Sequence, residues 1–559
     1  MTLACSLVIS FVAAALVVPI LTGHLLQGGE EPRTQSHNRF SEYVITRYRR
    51  SLDFAMRRPR SLVLVVIGLV LVGYLGWRAV GSGFMPVMDE GGFIFDYIAP
   101  PGTSLSDTDA MLQSVEKVLR STPEVQTYSR RTGLQLGGGL TESNMGDIFV
   151  RLKAKRGRNI EDIMTEVRTR VQANVPGLEV ETAQLMEDLI GDLTAVPQPI
   201  EIKIFGDDPD QLVALAPKIA KAITAVNGVT EIRSGVVLAG DGISVHVDPL
   251  RAGAEGLDAE QVSLQVKDYL SGSVVTQYQQ RDHSIDVRVW RKDPVKTHLD
   301  DLRHLRLLAP DGHHLALERV ADLRIESGQP EVTRDNLKPM VAVTARIEGR
   351  DLGSTVADLK VFLDKSSLLP SGTYYVLGGL YEQQRIAFRG LLGVLASAVA
   401  LVFLLLLFLY RQFRVAIAII LMPLLAMPAV FAGLWITGVD LNISSMMGMT
   451  MVVGIVTEIA IFWFSEYQQL IEDGLPTHDA LLQAGLNRFR PIAMTTIAAI
   501  LALFPLALAL GEGASMQQPL AIAIIAGLFV QIPLVLWLMP AVYHALMGRA
   551  IQEAQRTGG

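Results

Sequence analysis

Residues 443–464 read ISSMMGMTMVVGIVTEIAIFWF, an apolar run of 22 residues with one carboxylic acid, Glu458, well inside it. A helix rises about 1.5 Å per residue, so about 20 apolar residues cross a hydrocarbon core about 30 Å thick. The run is therefore read as a membrane-spanning helix. Six further stretches pass the same test: Leu3–Leu21, Leu62–Val80, Leu391–Tyr410, Val415–Thr437, Pro491–Leu510 and Pro519–Leu546. Pro423 and Pro428 fall inside one of them, where neighbouring helices can satisfy the freed backbone groups. The first run lacks the basic n-region of a cleaved signal peptide and is read as a span.

Composition agrees. Half of the residues are hydrophobic and 19% are charged, against about 25% charged in an ordinary soluble chain. The charge is concentrated in Glu30–Arg60, Asp89–Arg389 and Glu466–Arg490. A net charge of −7, with no basic stripe interleaved with aromatics, gives no sign of nucleic-acid binding. The single cysteine, Cys5, excludes an intramolecular disulfide and a multi-cysteine metal site.

Orientation follows from the basic loops, which stay on the cytoplasmic side. Arg47, Arg49, Arg50, Arg57, Arg58 and Arg60 precede the second span, Arg411 and Arg414 follow the third, and Arg488 and Arg490 precede the sixth. Gly438–Asn442 and Gly511–Gln518 contain no Lys or Arg and fall on the other side. The long block Gly81–Arg389 is therefore expected outside the cytoplasm. Seven spans with a cytoplasmic C-terminus put Met1 on the outer face, an arrangement that suggests spans upstream of this sequence.

Within the outer block the pattern alternates between strand and helix. Gly92–Ile98 reads as a strand, Ser104–Ser121 as an amphipathic helix opened by a serine cap, and Asp147–Lys153 as a strand. Ile160–Ala173 is a predicted helix and Leu178–Thr182 a predicted strand. The order recurs with Ile200–Phe205, Asp210–Val226, Val229–Ser234, Ile243–Val247 and Asp258–Leu270. Strand–helix–strand taken twice is the composition of tandem ferredoxin-like, or split βαβ, units. Residues 272 to about 329 are richer in short strands and turns and read as an insertion, after which Met340–Ile347, Ser354–Leu363 and Thr373–Leu377 complete the second unit.

The motif content argues against an enzyme and against nucleotide-driven transport. The chain has no GxxxxGK[ST] phosphate loop, no HExxH and no paired Cys/His zinc ligands. His313 and His314 follow Asp311-Gly312 and are read as a solvated hairpin turn, because no third ligand is near in sequence. No cofactor is implied. Glu458 is the informative residue. A charge at bilayer depth costs at least about 2.5 kcal/mol on insertion scales, so such groups face a bundle interior and mark ion pathways. Thr450, Gly454, Glu458 and Ser465 recur at helical spacing as one small, polar stripe. Two readings stay open: a packing seam with a hydrogen-bonded carboxyl, and a proton-relay carboxylate. Arg488 and Thr495 share a face at a spacing of seven and are candidates to reach the same path, Arg488 also reading as a membrane-edge anchor.

Several of these segments resemble the resistance-nodulation-division (RND) efflux transporters. Gly454-Ile455-Val456-Thr457-Glu458 resembles their Gly-(Ile/Leu/Val)-x-x-(Lys/Glu) segment, and Arg490-Pro491-Ile492-Ala493-Met494-Thr495 their RPxxMT signature. Gly83-Phe84-Met85-Pro86-Val87-Met88-Asp89-Glu90-Gly91 resembles the FxPxxxxG lead-in to a porter subdomain, and Met539-Pro540-Ala541-Val542-Tyr543 the end of their last span. The resemblance covers essentially the whole chain as the C-terminal half. It implies a seven-span α-helical membrane bundle and a periplasmic α+β region of tandem ferredoxin-like porter subdomains with a docking insertion. The implied divisions are spans at 1–24 and 61–80, a basic linker at 25–60, porter subdomains at 81–198 and 199–271 with 337–385, an insertion at 272–336, a bundle at 386–546 and a tail at 547–559.

The resemblance also implies proton-driven export of small molecules or metal ions from the bacterial inner membrane or periplasm. The implied partners are an N-terminal half, a periplasmic adaptor and an outer-membrane channel, in a homotrimer. Glu458 stands where the drug branch has Lys and the heavy-metal branch Glu, which tilts the reading towards the latter. The family's principal aspartates lie in a span this chain does not contain. The methionines that bind copper or silver in one subgroup are not evident, Met186 reading as core or cleft lining. Alternatives that the residues leave open are a nonfunctional truncated half, a membrane accessory or secretion protein with periplasmic ferredoxin-like domains, and a lipid or protein exporter of the same superfamily.

Overall fold

The computed structural model describes residues 2–546 apart from 26–38, 58, 87, 135–140, 195–197, 238–239, 291–298, 327, 329, 367 and 512. The expected tail at 547–559, part of the basic linker and Val87 of the lead-in motif thus lie outside the described residues. Helix α1 (Pro59–Ala79) ends where the extramembrane region begins. That region opens on β1 (Gly92–Ile98), α2 (Leu105–Ser121), β2 (Val125–Thr132), β3 (Met145–Leu152), α3 (Ile160–Asn174), β4 (Glu179–Gln184) and α4 (Leu185–Thr194).

The first four strands form an antiparallel sheet in the order β2-β3-β1-β4. Alternation along β1 sends Phe93, Phe95 and Tyr97 into one core with Leu112, Val115 and Leu119 of α2 and Ile163, Val167 and Val171 of α3. Ser104 and Asn159 cap the two helices by accepting from the Asp107 and Asp162 backbone N–H groups. Strand β2, VQTYSRRT, is polar enough to be silent in the hydrophobic pattern; its partner β3 holds it in place.

The second unit is built from β5 (Ile200–Phe205), α5 (Pro209–Ile223) and β6 (Val229–Arg233), and is completed far downstream. Between them the chain runs through β7 (Gly242–Val247), α6 (Ala259–Ser271), the hairpin β8 (Ser273–Gln280) and β9 (His283–Val289), and β10 (Ala321–Glu326). It returns as β11 (Lys338–Ile347), α7 (Leu352–Lys365) and β12 (Tyr374–Gly378). The sheet runs Thr333–Asp335, β11, β5, β12, with β6 also paired to β11. One difference from the sequence reading concerns β7 and α6. Strand β7 pairs with β10, and Val262 and Val266 of α6 share a core with Leu305, Leu307 and Leu317. By packing both belong to the inserted region, which therefore starts near Gly242 and not at 272. The cause is a strand pairing across more than seventy residues, which local pattern does not report.

Five described helices are long and apolar enough to span a membrane: α8 (Leu380–Tyr410), α9 (Phe413–Thr437), α10 (Ile443–Glu472), α11 (Thr477–Ala507) and α12 (Gln518–Leu546). Val8–Thr22 and Val63–Ala79 are shorter apolar helices among the described residues, so five of the seven expected spans meet the criterion outright. Small residues bring the helices together, as is usual where lipid removes the hydrophobic drive between them. A Cβ on Gly448 of α10 would stand 2.8 Å from Ala523 Cβ of α12, and one on Gly527 would meet Val452 at 2.6 Å. The helix Arg39–Arg57 buries Tyr48, Leu52 and Met56 against the bundle, with the Tyr48 hydroxyl donating to Leu536 O at 2.9 Å.

Candidate functional site

Helix α10 starts on a buried capping box. Asn442 Oδ1 accepts from Ser445 N at 3.0 Å and Ser445 Oγ accepts from Asn442 N at 2.9 Å. From that fixed start one face of α10, with Val452, Val456, Ala460, Trp463 and Tyr467, is buried in the bundle core. The opposite face carries Met447, Met451, Gly454, Glu458, Phe462 and Ser465, all exposed. A Cβ added at Gly454 would meet nothing within 4 Å. The stripe read from the sequence is thus a single face for Gly454, Glu458 and Ser465. Thr450 sits half-buried at its edge, its hydroxyl donating to Met446 O at 3.2 Å. At Gly454 and Glu458 that face looks away from the chain's own helices, whereas Ser465 meets the Tyr410 hydroxyl at the end of α8. The expected inward direction of Glu458 is not what the fold presents, because the valines and aromatics of α10 are already committed to the other side.

Arg488 pairs elsewhere. Its Nη2 lies 2.9 Å from Glu466 Oε2, and Asn487 donates to the other Glu466 oxygen at 2.7 Å. Glu466 is about two turns, or about 12 Å of helical rise, beyond Glu458. The Thr495 hydroxyl donates to Pro491 O and Ile492 O of its own helix, both at 3.1 Å. Among the described residues no hydrogen bond or ion pair joins Glu458, Arg488 and Thr495. Sequence reasoning missed the next residue: Thr496 is buried and accepts from Gln531 Nε2 of α12 at 2.8 Å. Gln531, also fully buried, leaves its Oε1 without a partner among the described residues. A lone Gln within an apolar span was the available signal.

A cleft lies where the extramembrane region meets the bundle, lined by Met85, Met88, Glu90, Met186, Glu187 and Asp440 among others. Its floor is tied down through the lead-in strand: Gly83 N donates to Leu441 O at 3.0 Å, Leu441 N to Gly81 O at 2.8 Å, and Ser82 N to Asp351 Oδ2 at 3.0 Å. Asp351 in turn caps α7 through Ser354 N at 2.9 Å. The Glu90 carboxylate accepts from Met186 N at 3.0 and 3.1 Å at the first turn of α4, and burial still pushes that carboxyl above its ordinary value. Met186 is 37% exposed and lines this cleft. His313 bridges Asp311 at 2.5 Å and Glu255 at 3.0 Å on an exposed turn, while His314 lies on a short separate strand. Among the described residues no group of three or more His, Cys, Asp or Glu is placed to hold a metal ion.

The sequence model of the AcrB/AcrD/AcrF family matches residues 1–547. The chain belongs to that family, the RND efflux transporters. This RND chain is 26% identical to the cobalt-zinc-cadmium resistance protein CzcA of Cupriavidus metallidurans over 537 residues, 94% of this chain and 50% of that protein. It is 27% identical to the nickel and cobalt resistance protein CnrA of the same organism, over 98% of this chain and 52% of CnrA. With the cation efflux system protein CusA of Escherichia coli it shares 25% identity over 95% of this chain and 52% of CusA. The fold superimposes on the crystal structure of a heavy metal efflux pump with a TM-score of 0.78 at 24% identity, covering 90% of this chain and 53% of that one. The relatives put this RND chain nearest the heavy-metal branch, and it spans about half the length of the curated relatives it matches.

Proposed function

We propose that this chain is the C-terminal half of a proton-driven heavy-metal-type RND exporter. In that reading it works with an N-terminal half, a periplasmic adaptor and an outer-membrane channel, as a homotrimer in the inner membrane, and moves cations of the kind named for its relatives, such as cobalt, zinc, cadmium or nickel. The observation that carries this is the outward face of α10. A carboxyl left against lipid is expensive, and Gly454 beside Glu458 offers open space. A face of that composition suits cover by further protein helices, with Glu458 set to exchange protons against groups they supply. The hairpin β8–β9, exposed at every position but Ser273 and with Val275, Tyr278 and Ile285 turned to solvent, suits docking onto a neighbouring copy, and the cleft above the bundle suits substrate entry.

The test is co-expression. In a bacterium stripped of its own metal exporters, this chain alone should leave growth in cobalt, zinc, cadmium or nickel unchanged. Adding an N-terminal half of the heavy-metal branch should restore tolerance. Full export by the isolated chain would overturn the split-transporter reading.

A further inference from the structure

Three neighbouring antiparallel strands of the first α+β unit carry one carboxylate each at the same level. Asp147 of β3 lies opposite Asp96 of β1, and Asp96 lies opposite Glu181 of β4. Direct cross-strand partners point to one face of a sheet, here the face away from Phe93, Phe95 and Tyr97. Like charges set opposite one another repel, so the row calls for counter-charge. Asp147 receives it within its own unit, from Arg131 at 2.7 and 2.5 Å. Glu181 receives it from the second unit, from Arg346 at 3.0 Å and Arg233 at 3.2 Å. Asp96, between them, has no ion-pair partner among the described residues.

The boundary between the units is bridged at two more points. Arg346 also reaches Glu187 of α4 at 2.6 Å, and Arg168 of α3 binds Glu231 and Glu348 of the second unit, the latter at 3.0 Å. Parting the units would break these contacts together and strip Glu181 of both guanidinium groups.

We propose that this boundary is a proton-linked latch: the two units close on a neutral Asp96 and part when Asp96 ionises. The carboxylates that face Asp96 make its ionisation harder. Asp188 from α4, Glu181 from β4 and Asp147 from β3 add negative charge, and Arg233 from β6 partly offsets them. Burial acts first and these carboxylates second, and together they push the Asp96 carboxyl up to about 8. Opening would hydrate the face and let the group return towards its ordinary value. Over the interval between those values the closed form holds a proton that the open form does not. Closure is therefore fully favoured in acid and lost as the pH rises through about 8, by up to about tenfold in the closed-to-open ratio per pH unit for one proton. The latch is argued from the contact between the units and does not depend on Glu458.

The test uses the full chain in lipid nanodiscs, with Cys5→Ser and single cysteines at Lys117 of α2 and Lys218 of α5, both exposed, carrying spin labels. The closed distance should dominate at pH 6 and give way to a longer one by pH 9. Asp96→Asn should stay closed across that range, and Arg346→Gln should shift towards the longer distance at every pH. A label distance in the unsubstituted background that does not change with pH overturns the latch, whether or not the variants fold. So does an Asp96→Asn chain that keeps the original pH profile.

Discussion

Arg346 and Glu181, 165 residues apart in the chain, form an ion pair 3.0 Å long with both side chains only 9% exposed. Breaking a buried pair by removing one partner costs about 3–5 kcal/mol, because the remaining charge stays buried. Arg233 still reaches Glu181, so Arg346→Leu should fall near the lower end, about 3 kcal/mol. Urea unfolding in detergent should show the lowered midpoint. Adding Glu187→Gln to Arg346→Leu should recover part of the loss, since Arg346 also holds Glu187 at 2.6 Å while Arg233 still holds Glu181.

Glu458→Gln keeps size and hydrogen bonding and removes titration. If the carboxyl is a proton relay, the assembled two-half pump should lose metal export while membrane insertion and abundance stay normal. Everted vesicles loaded with a pH-sensitive dye would report the accompanying loss of metal-driven proton flux. Wild-type export by the Gln variant would reduce Glu458 to a packing residue.

The topology is open to direct measurement. Because the basic loops gather on one side of the membrane, a reporter fused at Arg251 should read periplasmic and one at Gln469 cytoplasmic. The opposite signal at either site would break the orientation on which the proton path depends.

Thr496 and Gln531 tie α11 to α12 at 2.8 Å inside the bundle. Thr496→Val should strand the Gln531 amide and cost about 1 kcal/mol, the scale of side-chain hydrogen bonds between membrane helices. Combining it with Gln531→Leu should cost less than the two single changes added together. Thr495→Val should be nearly silent for stability, since that hydroxyl serves only its own helix backbone. Thermal unfolding of the four variants in one detergent distinguishes these outcomes.

Much of this architecture is local and was legible from the residues alone. The strand pattern of Gly92–Ile98, the Ser104 helix cap, and twenty-residue apolar runs are properties of a few neighbouring side chains. They locate β1, the start of α2, and the five long spans without any knowledge of what packs against them. The depth of Glu458 in its span is of the same kind, since helical rise alone sets it.

Direction and partnership are different. Whether Glu458 faces inward depends on which side of α10 the other helices claim, and Val456, Ala460 and Trp463 decide that by burying the opposite face. Thr495 and Thr496 differ by one position and about 100° of helix rotation, yet only the packing of α12 gives Thr496 a partner. Strand β7 joins the inserted region because β10 pairs with it. Asp96 lies in a row of three carboxylates because β3 and β4 flank β1 in register. Such contacts join residues far apart in the chain, so no local pattern encodes them; burial and register, settled only when the sheets and helices close on one another, decide which charges meet.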